Sequence, residues 1–129
     1  MVELKHVALT IDSKVHAVEF YEHLLQGKRV KEFEISSDLL KQIFSISASH
    51  DLSVMVFEVG SIVFEIFIVD DQQVAERFDH VCISVNDMHI FKKQCLQKGL
   101  KVSIIPKGEK ELVFIQDFVG NLFEIKQKE

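Results

Sequence analysis

The chain has 129 residues, the size of one ordinary domain, and 47% of them are hydrophobic, which is enough to build a core. Its formal net charge of −5 argues against binding to nucleic acid, which needs a basic face for phosphates. Two cysteines and no apolar run long enough to cross a bilayer predict a cytoplasmic protein with reduced thiols and no membrane partner.

An internal repeat is the most informative feature of the sequence. Residues 6–12 read His-Val-Ala-Leu-Thr-Ile-Asp, and residues 80–86 read His-Val-Cys-Ile-Ser-Val-Asn. The two heptapeptides match in character at every position: His, Val, small, branched apolar, hydroxyl, branched apolar and Asp or Asn. Such self-similarity predicts that the chain consists of two related structural units.

The first copy begins with a strand and continues into a helix that Asp12 or Ser13 caps and Gly27 ends. An extended segment at Val30–Ile35 follows, and Gly60-Ser61 is the turn of a later hairpin. Residues 36–52 have no counterpart in the second copy and form an insertion of unassigned structure. The helix is expected to bury one apolar face, formed by Val15, Val18, Tyr21, Leu24 and Leu25. The two strands of the hairpin are Val54–Val59 and Ile62–Val69.

The second copy repeats this order. Asn86 or Asp87 caps a helix that Gly99 ends, and an extended segment follows at Val102–Ile105. Leu112–Asp117 and Leu122–Lys126 then form a hairpin. The inward residues of this helix are predicted to be Ile90, Phe91 and Leu96.

Each half is therefore predicted to contain one strand, one helix and three further strands, which makes the fold class α+β with two tandem βαβββ modules. We expect a single domain over residues 1–129, with residues 1–72 as the first module and 77–129 as the second. The polar stretch Asp70–Glu76 is the predicted linker.

Four ionisable residues recur in equivalent places of the two copies. Strand alternation puts His6 and His80 on faces of small and hydroxyl side chains, and Glu65 and Glu124 each lie inside a Phe-Glu-Ile strand. A lone strand His or Glu is usually just partly solvated, but a carboxylate in an apolar strand needs a cation, a hydrogen-bond network or solvent. The paired recurrence predicts that His6, Glu65, His80 and Glu124 bind one divalent transition metal: Ni, Co, Zn, Mn or Fe(II).

The sequence also resembles the glyoxalase, bleomycin-resistance and extradiol-dioxygenase superfamily, the vicinal oxygen chelate proteins, over nearly its whole length. The resemblance rests on the opening His6-Val-Ala-Leu-Thr-Ile-Asp, on Phe20-Tyr21, and on the closing run from Asp117 to Glu124. Phe118 and Val119 depart from the Pro and Asp usual in that closing run. The resemblance implies a glyoxalase-like fold of paired βαβββ modules with metal ligands at the four positions named above.

Within this group the ligand set looks most like that of bacterial glyoxalase I. That resemblance implies a lyase or isomerase in which the metal stabilises an enediolate as a Lewis acid and Glu124 acts as the base. Thr10 stands where the family places an arginine for the carboxylate of glutathione, so the substrate is left open.

Two alternatives remain. Phe57-Glu-Val-Gly60 and Asp79-His80-Val-Cys82 resemble methylmalonyl-CoA epimerase, for which Lys107, Lys110 and Lys126 would have to supply a basic rim. The other alternative is a binding protein that sequesters a small molecule, as bleomycin-resistance proteins do. In each case we expect a small-molecule ligand and a homodimer, with metal sites formed within one chain or between two.

Overall fold

A computed structural model describes residues 5–70 and 80–129 of the chain. The chain divides into two compact units, residues 1–72 and 73–129, each of which is described by itself. Apart from Asp70, the linker predicted over Asp70–Glu76 lies outside the described residues. Along the part of the chain that is described, no helix is both long and apolar enough to span a membrane.

The first unit is a four-stranded sheet with a helix after its first strand and an inserted helix after its second. The chain order is β1 (Val7–Ile11), α1 (Lys14–Ala17, continued as a π-helix over Val18–Leu24), β2 (Lys28–Ile35), α2 (Ser37–Phe44), β3 (Leu52–Val59) and β4 (Ile62–Ile68). The strands lie in the order β1-β4-β3-β2, with β1 parallel to β4 and the other pairs antiparallel. The predicted insertion at residues 36–52 thus contains α2.

The second unit has the same topology without the inserted helix. Its elements are β5 (His80–Val85), α3 (Met88–Gln97), β6 (Val102–Lys107), β7 (Lys110–Gln116) and β8 (Leu122–Gln127), and the strand order is β5-β8-β7-β6. Strand β5 runs parallel to β8, and the hairpins are antiparallel. The predicted α+β fold class with two βαβββ modules is therefore confirmed.

The helix of the first unit differs from its prediction in which residues it buries. Ser13 is the N-cap, since its side chain accepts a hydrogen bond from the backbone N–H of His16. Ala17 and Phe20 are fully buried, whereas Val15, which was predicted to face inward, is 70% exposed. The buried residues Ala17, Phe20, Tyr21 and Leu24 follow the spacing i, i+3, i+4 and i+7, and Val15, in the first turn of the helix, lies outside this stripe.

The helix of the second unit also buries a narrower face than predicted. Asp87 is the N-cap, with Oδ1 accepting from the backbone N–H of Ile90. Phe91 and Cys95 are buried, but Ile90 and Leu96 are 52% and 61% exposed, so both were wrongly predicted to point inward. In a helix of ten residues only one narrow stripe meets the sheet, and these two residues lie beside that stripe.

The two faces of the first sheet have different coverings. On one face, Tyr21 stacks on Phe57 with ring centroids 5.8 Å apart and lies 5.5 Å from Phe64, and all three residues are fully buried. On the other face, Leu40 of α2 packs with Val54 and Ile35 in a separate small cluster. The inserted helix therefore covers part of the sheet face opposite to α1.

A buried polar turn connects the last two strands of the second unit. Asp117 Oδ1 accepts hydrogen bonds from the backbone N–H groups of Val119 and Asn121, and Asp117 Oδ2 accepts from Asn121 Nδ2 at 2.7 Å. Asp117 and Asn121 are 5% and 2% exposed. This turn sets the start of β8, the strand that carries Glu124.

Candidate metal centre and adjoining cavity

His6 and Glu65 form a close pair in the first unit. His6 Nδ1 lies 3.5 Å from Glu65 Oε2, and the two side chains are 46% and 26% exposed. Ala8, two residues after His6, is the register partner of Glu65 across the β1–β4 ladder. Side chains two residues apart on a strand share a face, so His6 and Glu65 lie together on the face opposite to Tyr21.

His80 and Glu124 occupy the same register in the second unit. Cys82, two residues after His80, is the register partner of Glu124 across the β5–β8 ladder. The His80 ring also packs edge-on against Phe114, with ring centroids 6.1 Å apart, and Phe114 is the partner of Glu124 on the other side. His80 and Glu124 therefore also share one face of their sheet.

The second unit differs in what Glu124 contacts. Cys82 Sγ lies 3.6 Å from Glu124 Oε2 and donates a hydrogen bond to it. Burial, followed by the charge of Glu124, raises the pKa of the Cys82 thiol above its ordinary value. The thiol is thus a neutral donor at neutral pH, and the Glu124 carboxylate is held by it from one side.

Each unit carries one imidazole and one carboxylate on the same sheet face, and two such groups are too few to form a complete metal centre. Within residues 5–70 and 80–129, no three His, Cys, Asp or Glu side chains are grouped so as to hold a metal ion. The donor types nevertheless fit a borderline divalent metal, because imidazole nitrogens and carboxylate oxygens are ligands of Ni, Co, Zn, Mn and Fe(II).

A cavity of about 520 Å³ adjoins the His6–Glu65 pair inside the first unit. Its floor includes Ala8 and Thr10 of β1 and Phe67 of β4, which lie on the same sheet face as Glu65. Its other wall comes from Leu40 of α2 and from the segment after that helix, residues 46–50. The cavity therefore lies between the sheet and the insertion.

Neither this cavity nor the contact between Cys82 and Glu124 was predicted from the sequence. The cavity is formed by the insertion, and a segment without a repeat counterpart offered no register from which its position could be inferred. The one signal present was the Ser-rich, apolar-interrupted run Ser45-Ile-Ser-Ala-Ser49, whose small side chains leave space next to a sheet.

The fold and the paired His and Glu residues define a class of proteins built from two βαβββ modules that each contribute metal-binding residue types. The model of the Glyoxalase/Bleomycin resistance protein/Dioxygenase superfamily matches residues 3–125, so the chain belongs to that superfamily. No curated protein matches the sequence.

Solved structures of the same fold include fosfomycin resistance proteins and glyoxalase family proteins. FosX from Listeria monocytogenes is 13% identical, with a TM-score of 0.73 and coverage of 100% of this chain and 95% of that one. A variant of that FosX, complexed with Mn(II) and 1S,2S-dihydroxypropylphosphonic acid, is 14% identical, with a TM-score of 0.73 and coverage of 98% and 90%. A glyoxalase family protein from Enterococcus faecalis is 18% identical, with a TM-score of 0.69 and coverage of 95% of both chains.

Proposed function

We propose that the protein is a metal-dependent, glyoxalase I-like isomerase that acts on small molecules with oxygens on adjacent carbons. His6, Glu65, His80 and Glu124 would hold one divalent metal, which when bound supplies Lewis-acid polarisation of the substrate oxygens. The observation that carries the proposal is the identical register of the two His/Glu pairs, because chance would not reproduce it in both units.

Glu124 is the proposed base, a role that its carboxylate would take when it is not bound to the metal. A carboxylate next to the substrate can take the proton from the carbon that bears the hydroxyl group and return it to the neighbouring carbonyl carbon. The Cys82 thiol at 3.6 Å would keep Glu124 oriented during this transfer. Glu65, which contacts His6 instead, would remain a ligand and fix the orientation of that imidazole.

A four-ligand centre requires the pair of one unit to meet the pair of another unit. The two pairs can come from the same chain or from two chains, and we propose a homodimer in either case. Manganese in the FosX complex supports a divalent metal in this superfamily but leaves open which metal this chain prefers. The proposed location is the cytoplasm.

The proposal is tested by metal titration together with an isomerisation assay. Protein depleted of metal by a chelator would be titrated with Mn, Co, Ni and Zn and analysed for bound metal per chain. Each form would be assayed with the hemithioacetal of methylglyoxal and glutathione, with methylmalonyl-CoA, and with 2-hydroxyacetophenone in heavy water, where proton exchange at carbon reports enediolate formation. We expect metal-dependent exchange that Glu124→Gln abolishes.

The matched control is Glu34→Gln, which removes an exposed carboxylate on β2, two strands away from β4. It should leave metal content and exchange unchanged. Protein that binds no metal after reconstitution would overturn the proposal and favour a role in sequestering small molecules. Turnover of methylmalonyl-CoA alone would replace the glyoxalase I-like assignment by an epimerase-like one.

A further inference from the structure

The cavity of the first unit has the size of a small-molecule site. Its volume of about 520 Å³ falls within the range of roughly 300–1,000 Å³ that is usual for ligand pockets. Four elements of one unit line it, namely β1, β4, α2 and the segment that leads into β3. All of the described residues that line it belong to the first unit.

The chemistry of the lining selects against anions. Among the described residues that line the cavity, none is Lys or Arg, and the ionisable ones are His50 and Asp70. His50 Nδ1 already lies 3.1 Å from Ser49 Oγ, and the carboxylate of Asp70 would repel a negative ligand. A phosphate, phosphonate or carboxylate placed here would lose its hydration without gaining a cationic partner.

The remaining lining suits an apolar body with a few hydroxyl contacts. Leu40, Leu52 and Phe67 belong to the small core cluster or pack against it, and their side chains also border the cavity. Thr10, Ser47 and Ser49 add hydroxyl groups that can orient an uncharged ligand. Such a mixture of apolar walls with a few polar groups is typical of sites for neutral organic molecules.

The cavity also begins next to the proposed metal ligands. Ala8 lines it and is the register partner of Glu65, and Thr10 lies two residues further along the same face. Neighbouring strands are about 4.8 Å apart, so a ligand body beside Ala8 and Thr10 has its nearer end at the His6–Glu65 pair. One molecule can therefore occupy the cavity and present its polar end to those two residues.

We infer that this cavity binds the apolar body of an uncharged small molecule, whose two adjacent oxygens face His6 and Glu65. The class comprises neutral aryl or alkyl vicinal diols and α-hydroxyketones and excludes anionic conjugates of glutathione or coenzyme A. The orientation of the oxygens rests on the proposed function. The preference for a neutral body rests on the cavity alone.

Backbone amide NMR of the full, metal-depleted chain tests the preference. The probes are styrene glycol, a neutral vicinal diol, and mandelate, which has the same aromatic body and hydroxyl group but ends in a carboxylate. We expect saturable shifts from styrene glycol at the amides of Ala8, Thr10 and residues 46–50, and binding of mandelate weaker by about tenfold or more.

Two substitutions with matched controls sharpen the test. Ala8→Leu fills the floor of the cavity from an exposed position, so styrene glycol should bind about tenfold more weakly or not at all, whereas Ala8→Ser should keep its affinity. Ser47→Lys places a cation at the exposed rim and should raise mandelate affinity about fivefold, while Ser47→Gln, of similar length but uncharged, should not.

The outcomes separate this inference from the proposed function. Equal or tighter binding of mandelate by the unaltered chain, or styrene glycol shifts outside the cavity, would overturn the inference even if the metal binds as proposed. If the unaltered chain binds no metal but still binds styrene glycol in the cavity, the inference about the cavity is supported and the proposed metal-dependent function is excluded. Amide spectra of each variant without probe verify that it is folded.

Discussion

The two units share a topology and a His/Glu register but differ in what surrounds that register. In the first unit Glu65 contacts His6, and an insertion encloses a cavity beside them. In the second unit Glu124 contacts Cys82, and the connection from β6 to β7 is a tight turn without an inserted helix. The repeated features belong to the proposed metal centre, and the unrepeated feature belongs to the proposed ligand site.

This difference indicates a division of roles between similar folds. Both units would hold the metal, and among the described residues the first unit forms a cavity whose walls can select the body of a ligand. In the second unit, the contact that has no equivalent in the first is the hydrogen bond from the Cys82 thiol to Glu124, the proposed base. Substitutions at equivalent positions of the two units are therefore the sharpest probes of the account.

The largest expected effect comes from removing a proposed metal ligand in either unit. Glu65→Gln and Glu124→Gln should each weaken metal binding by more than about 100-fold, because even outer contacts of metal ligands contribute 10–100-fold. Isothermal titration of metal-depleted protein measures this, with Glu34→Gln as the control. A large loss in one unit with none in the other would break the symmetry on which the proposed centre depends.

The glycines that follow the two helices should respond differently to alanine. A Cβ at Gly27 would overlap the carbonyl oxygen of Tyr21 and lie 2.9 Å from a methyl group of Val59, so Gly27→Ala should cost about 3 kcal/mol. Gly99 has φ of +78° and open space around it, so Gly99→Ala should cost only about 1 kcal/mol of strain.

Urea unfolding of the two glycine variants gives both free energies of unfolding. Equal costs would contradict the reason given for Gly27, since a steric clash with backbone is absent at Gly99. The comparison is informative because the sequence alone assigns the same helix-ending role to both residues.

The turns that precede the proposed ligand strands should also differ. Asp117→Ala would remove the acceptor for two backbone N–H groups and for the Asn121 amide, at a cost of about 2–3 kcal/mol. Ser61→Ala, in the two-residue turn before β4, should change stability by less than about 0.5 kcal/mol because Ser61 is exposed. Thermal unfolding of both variants measures the difference, and similar melting temperatures would contradict it.

The two helix caps should each contribute less to stability than Gly27 or Asp117. Ser13→Ala and Asp87→Ala each remove one side-chain acceptor from a helix N-terminus and should cost about 1 kcal/mol. Chemical unfolding of both variants measures these costs. A cost near zero at either position would show that another group satisfies the N–H of His16 or Ile90.

Much of the fold could be predicted because the repeat supplied two independent views of one unit. The Gly60-Ser61 hairpin and the strands on either side of it are confirmed, and period-two alternation fixes which of their side chains lie together. The predicted helix faces were partly wrong at Val15, Ile90 and Leu96, because the narrow stripe of each helix that meets the sheet is set by packing.

The candidate site was predictable only where it repeats. His6, Glu65, His80 and Glu124 stand out because each has a counterpart, and the structure adds that each pair shares a sheet face. Their convergence on one metal stays a prediction. The cavity could not be predicted, because one of its walls is a non-repeated segment. The position of that segment depends on the packing of Leu40 against Val54 on the sheet face.

Pulsed electron paramagnetic resonance of the Mn(II)-loaded protein distinguishes a metal centre built from both units from one built from a single unit, because it detects nitrogen nuclei bonded to the metal. A centre that contains both His6 and His80 should show coupling to two imidazole nitrogens, with half of the modulation lost in His6→Gln and half in His80→Gln. Coupling to a single imidazole, unchanged by one of the two substitutions, would contradict a centre built from both units.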